Sequence, residues 1–153
     1  MNSPNDDKPA FFDAYSDRYD EAVNKAIAFS GLEVDFFVRV KAAYMQDILV
    51  DYFEDTSQVD LLDVGCRVGN YHKYWINNVR SLHGVDVSAM SIARASERNP
   101  SVRYKVYDGD KLPFADKTFD SAVAICVMHH VTPIKRPSFA TELRRVMKRG
   151  GLL

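Results

Sequence analysis

A short apolar run that breaks into a glycine-containing loop restricts the folds open to this chain. Residues 59–69 read VDLLDVGCRVG, and their apolar positions predict a buried strand over 59–64. Gly65 and Gly69 have no Cβ, so the loop backbone can turn tightly and approach a ligand closely. A helix predicted over 70–78 follows, and its first amides, which have no partner within the helix, can face that ligand. An ordinary strand–turn–helix corner without a ligand is the alternative interpretation.

Composition and charge exclude several classes of protein. The chain has 153 residues, of which 46% are hydrophobic and 27% charged, enough for one globular domain. Its formal net charge of −1 gives no indication of binding to nucleic acid or anionic membranes. Cys66 and Cys126 lack metal-ligand spacing, so we expect free thiols and no metal. The chain shows neither a signal-peptide pattern nor a membrane-spanning run, and we expect a cytoplasmic protein.

The first third of the chain is predicted to form a helical cap. Residues 1–8 are polar and acidic and predict a disordered tail, and residues 9–58 form the cap. A long amphipathic helix is predicted over 33–53, where apolar residues follow the 3.6-residue period and cover one face of a sheet. An earlier helical face is marked by aromatic residues that recur every four positions, namely Phe11, Tyr15 and Tyr19.

From residue 59 onward, strand and helix patterns alternate, which predicts an α/β fold. We expect a Rossmann-like parallel sheet with helices on both faces, truncated after the start of strand five, over residues 59–153. Ser88 is predicted to cap a helix that runs to residue 98, and Gly150-Gly151 to end a helix that follows Pro133. The first four strands are predicted over 59–64, 81–87, 102–107 and 119–128, and the fifth begins at Leu152.

Acidic residues mark the ends of three successive predicted strands, at Asp63, Asp86 and Asp108. Right-handed crossovers bring these ends to one edge of a parallel sheet. Asp86 follows the glycine loop at the usual distance for an acid that binds the two hydroxyls of a ribose. Asp108 could accept from an exocyclic amine, and Asp63 could hold an ammonium group or orient the loop backbone. The alternative for each is a solvated loop acid or a helix cap.

A dinucleotide is the competing ligand. The G-x-G-x-x-G fingerprint, placed on Gly65, requires glycine at positions 67 and 70. The chain has Arg67 and Asn70 there, which argues against a hydride-transfer enzyme.

Four segments of the chain carry a resemblance to a known family: LLDVGCRVG at 61–69, GVDVS at 84–88, DGDKLPFADKTFD at 108–120 and ELRRVMKRGG at 142–151. In order and spacing they resemble the cofactor loop, ribose-binding strand end, adenine loop and late glycine turn of the class I S-adenosylmethionine-dependent methyltransferases. The most similar branch acts on small molecules and includes the ubiquinone and menaquinone biosynthesis methyltransferases.

The resemblance implies S-adenosylmethionine as the cofactor and a small molecule as the methyl acceptor. The methionine part would lie on the loop, the ribose on Asp86, and the adenine beside Val87, Asp108 and Gly109. Val127 would lie near the transferable methyl, and Tyr19 on a helix that folds over the cofactor. The residues implied to contact the cofactor are Tyr19, Asp63, Gly65, Cys66, Arg67, Gly69, Asp86, Val87, Asp108, Gly109 and Val127.

His129 and His130 are the candidate catalytic bases, because they follow strand four near the predicted methyl site. They could instead cap the strand end or pack beneath the loop. Arg67 departs from the family pattern, which has glycine there. A cation could pair with the cofactor carboxylate or crowd the loop, and we expect it to keep an ordinary negative φ.

The length of the chain is the second departure, because the family continues through further strands that help to shape the substrate pocket. An uncovered sheet edge predicts a homodimer through that edge. It also keeps open an alternative function, a non-catalytic S-adenosylmethionine-binding or interaction protein that lacks the substrate half.

Overall fold

The computed structural model describes residues 34–153. Its five strands are all parallel and form one sheet in the order β3-β2-β1-β4-β5. The strands are β1 (Asp60–Val64), β2 (Ser81–Asp86), β3 (Arg103–Val106), β4 (Phe119–Val123) and β5 (Met147–Leu152). The helices are α1 (Val34–Tyr52), α2 (His72–Trp75), α3 (Ala89–Arg98) and α4 (Arg136–Val146). The predicted α/β fold is confirmed. The predicted tail over residues 1–8 and the helical face marked by Phe11, Tyr15 and Tyr19 lie outside the described residues.

Two hydrophobic clusters cover the two faces of the sheet, as period-two alternation along buried strands requires. On one face, Leu62 and Val64 of β1 pack with Phe139 and Leu143 of α4. On the other face, the neighbouring strand residues pack beneath α1 and α2, and this cluster includes Ala42, Leu49, Leu61, Trp75 and Leu82. Helices therefore lie on both faces, and β1 occupies the centre of the sheet.

Helix α1 is less buried than its periodicity predicts. Val38, Ala42 and Leu49 are its buried residues, whereas Tyr44 is 65% exposed. The apolar period of this helix therefore extends beyond the stripe that contacts the sheet.

Two predicted strand boundaries are wrong. β4 ends at Val123 rather than residue 128, and a turn follows in which Cys126 has a φ of 58°. β5 begins at Met147 rather than Leu152 and contains the glycine pair that was predicted to end the preceding helix. Helix α4 ends early because Lys117 and Thr118 donate backbone hydrogen bonds to its last carbonyls, at 2.9 and 2.7 Å.

The helix starts were predicted more accurately than their lengths. Ser88 caps α3 as predicted, with its side chain accepting from Ser91 N at 3.0 Å. The helix after the glycine loop is a single turn, His72–Trp75, rather than the predicted 70–78. Within residues 34–153, no helix combines the length and apolar character needed to cross a membrane.

Candidate active site

The loop after β1 folds over the carboxyl end of β2. Gly65 N and Cys66 N both donate to Val85 O, at 2.8 and 3.0 Å. Gly65 has a φ of 75°, and a Cβ added to it would lie 2.4 Å from Cγ2 of Val127. Glycine is required here for both reasons, and its absence of a side chain allows the loops after β1 and β4 to touch.

Asp86 fastens this loop to the start of α3. Its Oδ2 accepts from Arg67 N and its Oδ1 accepts from Ser88 N, both at 2.9 Å. The side chain is buried, and burial raises the pKa of its carboxyl group, although the two amide bonds oppose that effect. A carboxylate oxygen accepts more than one hydrogen bond, so both oxygens retain capacity for the donors of a vicinal diol.

Arg67 adopts a φ of 50°, which corrects the expectation of an ordinary negative value. Two hydrogen bonds hold the loop in this left-handed conformation. Arg67 N donates to Asp86 Oδ2, and Gly69 N donates to Cys66 O at 2.9 Å. A non-glycine residue in this region carries backbone strain. The position is one that glycine would occupy without that strain.

The predicted adenine-binding residues lie at the ends of β2 and β3. Tyr107 N donates to Asp86 O at 3.1 Å, which holds the two strand ends together. Asp108 is exposed, and its Oδ1 accepts from Lys111 N and Asp110 N, bonds that lower the pKa of its carboxyl group. Gly109 has a φ of 85° and packs against Val87. Asp86, Val87, Asp108 and Gly109 are therefore brought together at one edge.

Asp63 is directed elsewhere. It is only 2% exposed, and its Oδ2 lies 2.9 Å from Nε2 of the fully buried His72. One carboxylate oxygen is thus engaged beneath the loop rather than at the open edge. This contact favours orientation of the loop, one of the two roles considered for Asp63. His72 was not among the predicted site residues, and its contact with Tyr104 depends on the register of β2 and β3, which the sequence does not show.

The two cysteines are free thiols in different surroundings. Cys66 is buried, and burial, with the negative charges of Asp63 and Asp86, raises the pKa of its thiol well above the usual value. A neutral thiol is a poor nucleophile, so the sulfur of Cys66 is unsuited to covalent chemistry. Cys126 is exposed, and Lys41 Nζ lies 3.7 Å from its sulfur.

His129 and His130 lie on the turn after β4, with ring centroids 3.9 Å apart. Both side chains are exposed, so the interpretation that they pack beneath the loop is wrong. The turn is held by a hydrogen bond from His130 N to Val127 O at 2.9 Å. Val127 connects this turn to Gly65, which places the two imidazoles on the segment that adjoins the glycine loop.

Comparison with known protein families identifies the domain. The family model described as "Methyltransferase domain" matches residues 62–153, which is more than half of the chain. The chain belongs to the class I S-adenosylmethionine-dependent methyltransferases. S-adenosylmethionine, the cofactor predicted from the sequence, is thereby confirmed as the cofactor of this methyltransferase family, and the hydride-transfer alternative is not supported.

The relatives that this chain matches have names that point to different acceptors. Malonyl-[acyl-carrier protein] O-methyltransferase of Pectobacterium atrosepticum is 30% identical over 97 residues, 63% of this chain and 38% of that protein. Demethylmenaquinone methyltransferase of Tropheryma whipplei is 31% identical over 101 residues, which is 64% of this chain and 41% of that protein. The tRNA (carboxymethyluridine(34)-5-O)-methyltransferase of Arabidopsis thaliana is 34% identical over 94 residues, which is 61% of this chain and 22% of that protein.

A solved structure shows the same fold. PH0226 protein from Pyrococcus horikoshii is 30% identical with a TM-score of 0.64, over 74% of this chain and 54% of that one. The chain spans about two fifths of the length of the first curated relatives it matches. The family and fold are thus shown, and the acceptor is not.

Proposed function

We propose that this chain binds S-adenosylmethionine along the edge formed by the loops after β1, β2 and β3, and transfers the methyl group to a small-molecule acceptor. The observation that supports it best is the Asp86 carboxylate, which joins the glycine loop to the start of α3 and keeps acceptor capacity for a diol. In parallel α/β sheets, ligands bind outside the carboxyl ends of the strands, where this carboxylate lies.

The other contacts follow the shape of the edge. Asp86 would accept from the ribose hydroxyls, while Asp108 and the backbone of Gly109 would contact adenine beside Val87. The backbone of Gly65, Cys66, Arg67 and Gly69 would lie against the methionine part, and Tyr19 would cover it. The acidic side chains fit the cofactor, because the carboxylate oxygens of Asp86 and Asp108 can accept from a diol and from an amine. The loop would contribute shape rather than donors, since the NH groups of these four loop residues already donate within the protein.

For methyl transfer, the main task of the protein would be to place the acceptor beside the cofactor. When bound, the cofactor supplies a methyl group already activated by a positively charged sulfur. The chain would align the acceptor with that methyl group and exclude water. His129 or His130 would take the proton that the acceptor releases, since both imidazoles are exposed on the turn next to the glycine loop.

Calorimetric titration with S-adenosylmethionine and S-adenosylhomocysteine tests the binding step. We expect both to bind, and Asp86→Ala to weaken both by at least about tenfold, because hydrogen bonds to a charged group contribute about 1.5–3 kcal/mol. Asp51→Ala, which removes an exposed aspartate of α1, is the control and should bind like the wild type. Wild-type protein that binds neither compound would overturn the proposal.

A tritiated methyl donor tests the acceptor. The relatives that act on tRNA make tRNA a second candidate acceptor for this chain, although its net charge of −1 does not favour a polyanion. Incubation with separate pools of quinol-type small molecules, acyl-carrier protein and tRNA should label the first pool. Label in tRNA would replace the small-molecule assignment. Binding without label in any pool would favour a non-catalytic protein.

A further inference from the structure

Three residues in register cross the sheet beneath the glycine loop. Asp63 of β1 pairs with Gly84 of β2, and Gly84 pairs with Tyr104 of β3. Partners in a parallel pair lie side by side on one face, so the middle position of this row has no side chain. A Cβ at Gly84 would lie 2.7 Å from Tyr104 Cε1 and 2.9 Å from Cys66 Sγ. The tyrosine ring therefore lies across the space that Gly84 leaves.

This space lets the tyrosine hydroxyl reach the imidazole that holds Asp63. Tyr104 Oη lies 2.5 Å from His72 Nδ1, and His72 Nε2 lies 2.9 Å from Asp63 Oδ2. The tyrosine and histidine rings stack with centroids 5.4 Å apart. Burial raises the pKa of Tyr104, which keeps its hydroxyl protonated and able to donate.

The direction of the hydrogen bonds follows from the groups present. One assignment pairs every group: Nε2 of His72 donates to the Asp63 carboxylate, and Nδ1 accepts from the Tyr104 hydroxyl. Asn99 Nδ2 then donates to Tyr104 Oη at 3.3 Å. Every donor in the chain from Asn99 to Asp63 finds an acceptor in this arrangement.

The same groups surround the last residue of the glycine loop. Asn99 Nδ2 donates to Gly69 O at 3.1 Å, and His72 N donates to it at 3.2 Å. Gly69 has a φ of 67°, and a Cβ there would lie 2.6 Å from Tyr104 Oη and 3.0 Å from His72 Nδ1. The hydrogen-bond chain is therefore packed directly against the loop backbone.

We propose that Asp63, His72, Tyr104 and Asn99 form a buried positioning network that holds the 65–69 loop in its cofactor-binding conformation. The inference rests on the proposed function of that loop. None of the four is assigned a contact with the reacting atoms, so they act through Gly69. Tyr104 lies on β3, at the edge of the sheet, and its ring passes over Gly84 of β2 to reach His72 beside β1. Through this network, a residue of the edge strand would affect cofactor affinity at the loop that follows the central strand.

Tyr104→Phe tests the network, because it removes the hydroxyl and keeps the ring stacked on His72. The change removes the hydrogen bonds of the hydroxyl with His72 and Asn99, and we expect Kd for S-adenosylmethionine and S-adenosylhomocysteine to rise about three- to tenfold. The matched control is Tyr52→Phe, which removes a hydroxyl that donates to Gly150 O at 2.9 Å away from the loop. Titrations at a temperature where circular dichroism shows all proteins folded separate affinity from stability.

A second pair of variants tests whether the groups act as a unit. His72→Gln keeps a donor for Asp63 and removes the ring acceptor for Tyr104, so it should weaken cofactor binding less than His72→Leu. Adding Tyr104→Phe to His72→Gln should cause a smaller loss than Tyr104→Phe causes in the wild type, because the His72 hydrogen bond is already absent and only the Asn99 hydrogen bond remains to be removed. If His72→Leu does not fold, the other variants still decide.

The outcomes separate the network from the proposed function. Wild-type protein that binds neither compound refutes the proposed function. Wild-type protein that binds, with a Tyr104→Phe variant of equal affinity, refutes the network and leaves the proposed function standing. Additive losses in the double variant would also refute the network. If Tyr104→Phe raises KM for the methyl donor and leaves kcat unchanged, the network acts by positioning the loop. A defect of stability alone would instead lower the apparent kcat, because a smaller fraction of the protein would be active.

Discussion

At the scale of single residues, Arg67 holds a backbone conformation that glycine adopts more readily. Its φ is 50°, and the left-handed region costs a non-glycine residue about 1–2 kcal/mol. Glycine adds about 0.5–1 kcal/mol of unfolded-state entropy, which offsets part of the gain. We therefore expect Arg67→Gly to raise the free energy of unfolding by about 0.5–1 kcal/mol in urea denaturation.

Lys117→Gly is the matched control for that change, because Lys117 has a φ of 54° and lies near β5 rather than on the loop. Both variants should gain stability, and Arg67→Gly should alter cofactor affinity as well. A lower free energy of unfolding for Arg67→Gly would contradict the inference that Arg67 carries backbone strain. Unchanged affinity would show that Arg67 does not crowd the cofactor.

The sequence could identify Asp86 but not the partner of Asp63. Spacing from the glycine loop marks an acid at the end of β2, because that distance follows from one helix and one strand. The Asp63–His72 pair depends on how the loop and the short helix after β1 fold back, which the spacing of nine residues does not determine. The contact of Tyr104 with His72 depends on strand register and on the absence of a side chain at Gly84, and it has no signature within a single segment of sequence.

At the scale of elements, one indole joins α1 to the short helix α2. Trp75 is fully buried, its Nε1 donates to Ala42 O at 3.1 Å, and its ring stacks on Tyr71 with centroids 5.5 Å apart. We expect Trp75→Phe to lower the free energy of unfolding by about 2 kcal/mol, through lost packing and one lost hydrogen bond. Chemical denaturation followed by circular dichroism measures this, since the chain has no other tryptophan.

Tyr74→Phe on the same helix is the control for Trp75→Phe, because Tyr74 is only partly buried. It should change the free energy of unfolding by less than about 0.5 kcal/mol. Equal losses in the two variants would argue that α2, rather than the indole contact, determines the effect.

The amino ends of the central strands are joined by charges. Asp60 at the start of β1 is hydrogen-bonded to Arg80, and Lys148 of β5 bonds Asp120 of β4 at 2.8 Å. The Arg80 hydrogen bond holds the pKa of the Asp60 carboxyl well below its usual range. A depressed folded pKa stabilises the protein above the unfolded value of about 4, and that contribution is lost as pH falls below it.

Asp60→Asn should therefore reduce the acid dependence of stability. We expect its Tm to fall less steeply than the wild-type Tm between about pH 5 and pH 3, and to lie below it at pH 7. Asp51→Asn, at an exposed position of α1, is the control and should follow the wild-type curve. Parallel curves for Asp60→Asn and wild type would show that the pair does not contribute.

Element boundaries were hardest to predict where backbone groups pair outside their own element. The run that was predicted as one strand over 119–128 divides at Val123, because the next residues form the turn that carries His129 and His130. The glycine pair near the end of the chain was interpreted as a helix stop, but it lies within β5. Apolar composition does not distinguish a buried strand from a buried turn.

At the scale of the whole molecule, the outer edge of β5 is the surface for the predicted homodimer. Among residues 34–153, β5 pairs only with β4, and its register shifts between the pairs at Phe119 and Ser121. A groove at this edge is lined by exposed cations, including Lys117, Arg144 and Arg149. Irregular pairing and like charges are features that protect sheet edges from association.

Homodimerisation through this edge stays a prediction, and these charges give it a specific salt dependence. We expect a weak dimer whose association strengthens as salt screens the repulsion between the two basic edges. Sedimentation equilibrium at low and high ionic strength measures this, and Arg149→Glu should reduce the salt dependence. A monomer at every salt concentration, or a dimer that salt dissociates, would contradict the edge-to-edge arrangement.

The overall architecture was predictable because alternation of strand and helix patterns leaves few arrangements of a parallel sheet. Right-handed crossovers also predicted that the strand ends carrying Asp86 and Asp108 would lie at one edge of the sheet. The depth at which each side chain lies was not predictable, as Asp63 and the exposed His129 and His130 show. Burial depends on the packing of several elements at once.

The contact between Gly65 and Val127 joins the loops after β1 and β4. Because position 65 has no room for a side chain, the branched side chain of Val127 occupies the space between the two loops. Under the proposed function, a change of acceptor preference would be sought first at position 127, where alanine would widen this space and isoleucine would narrow it, with the glycine left untouched.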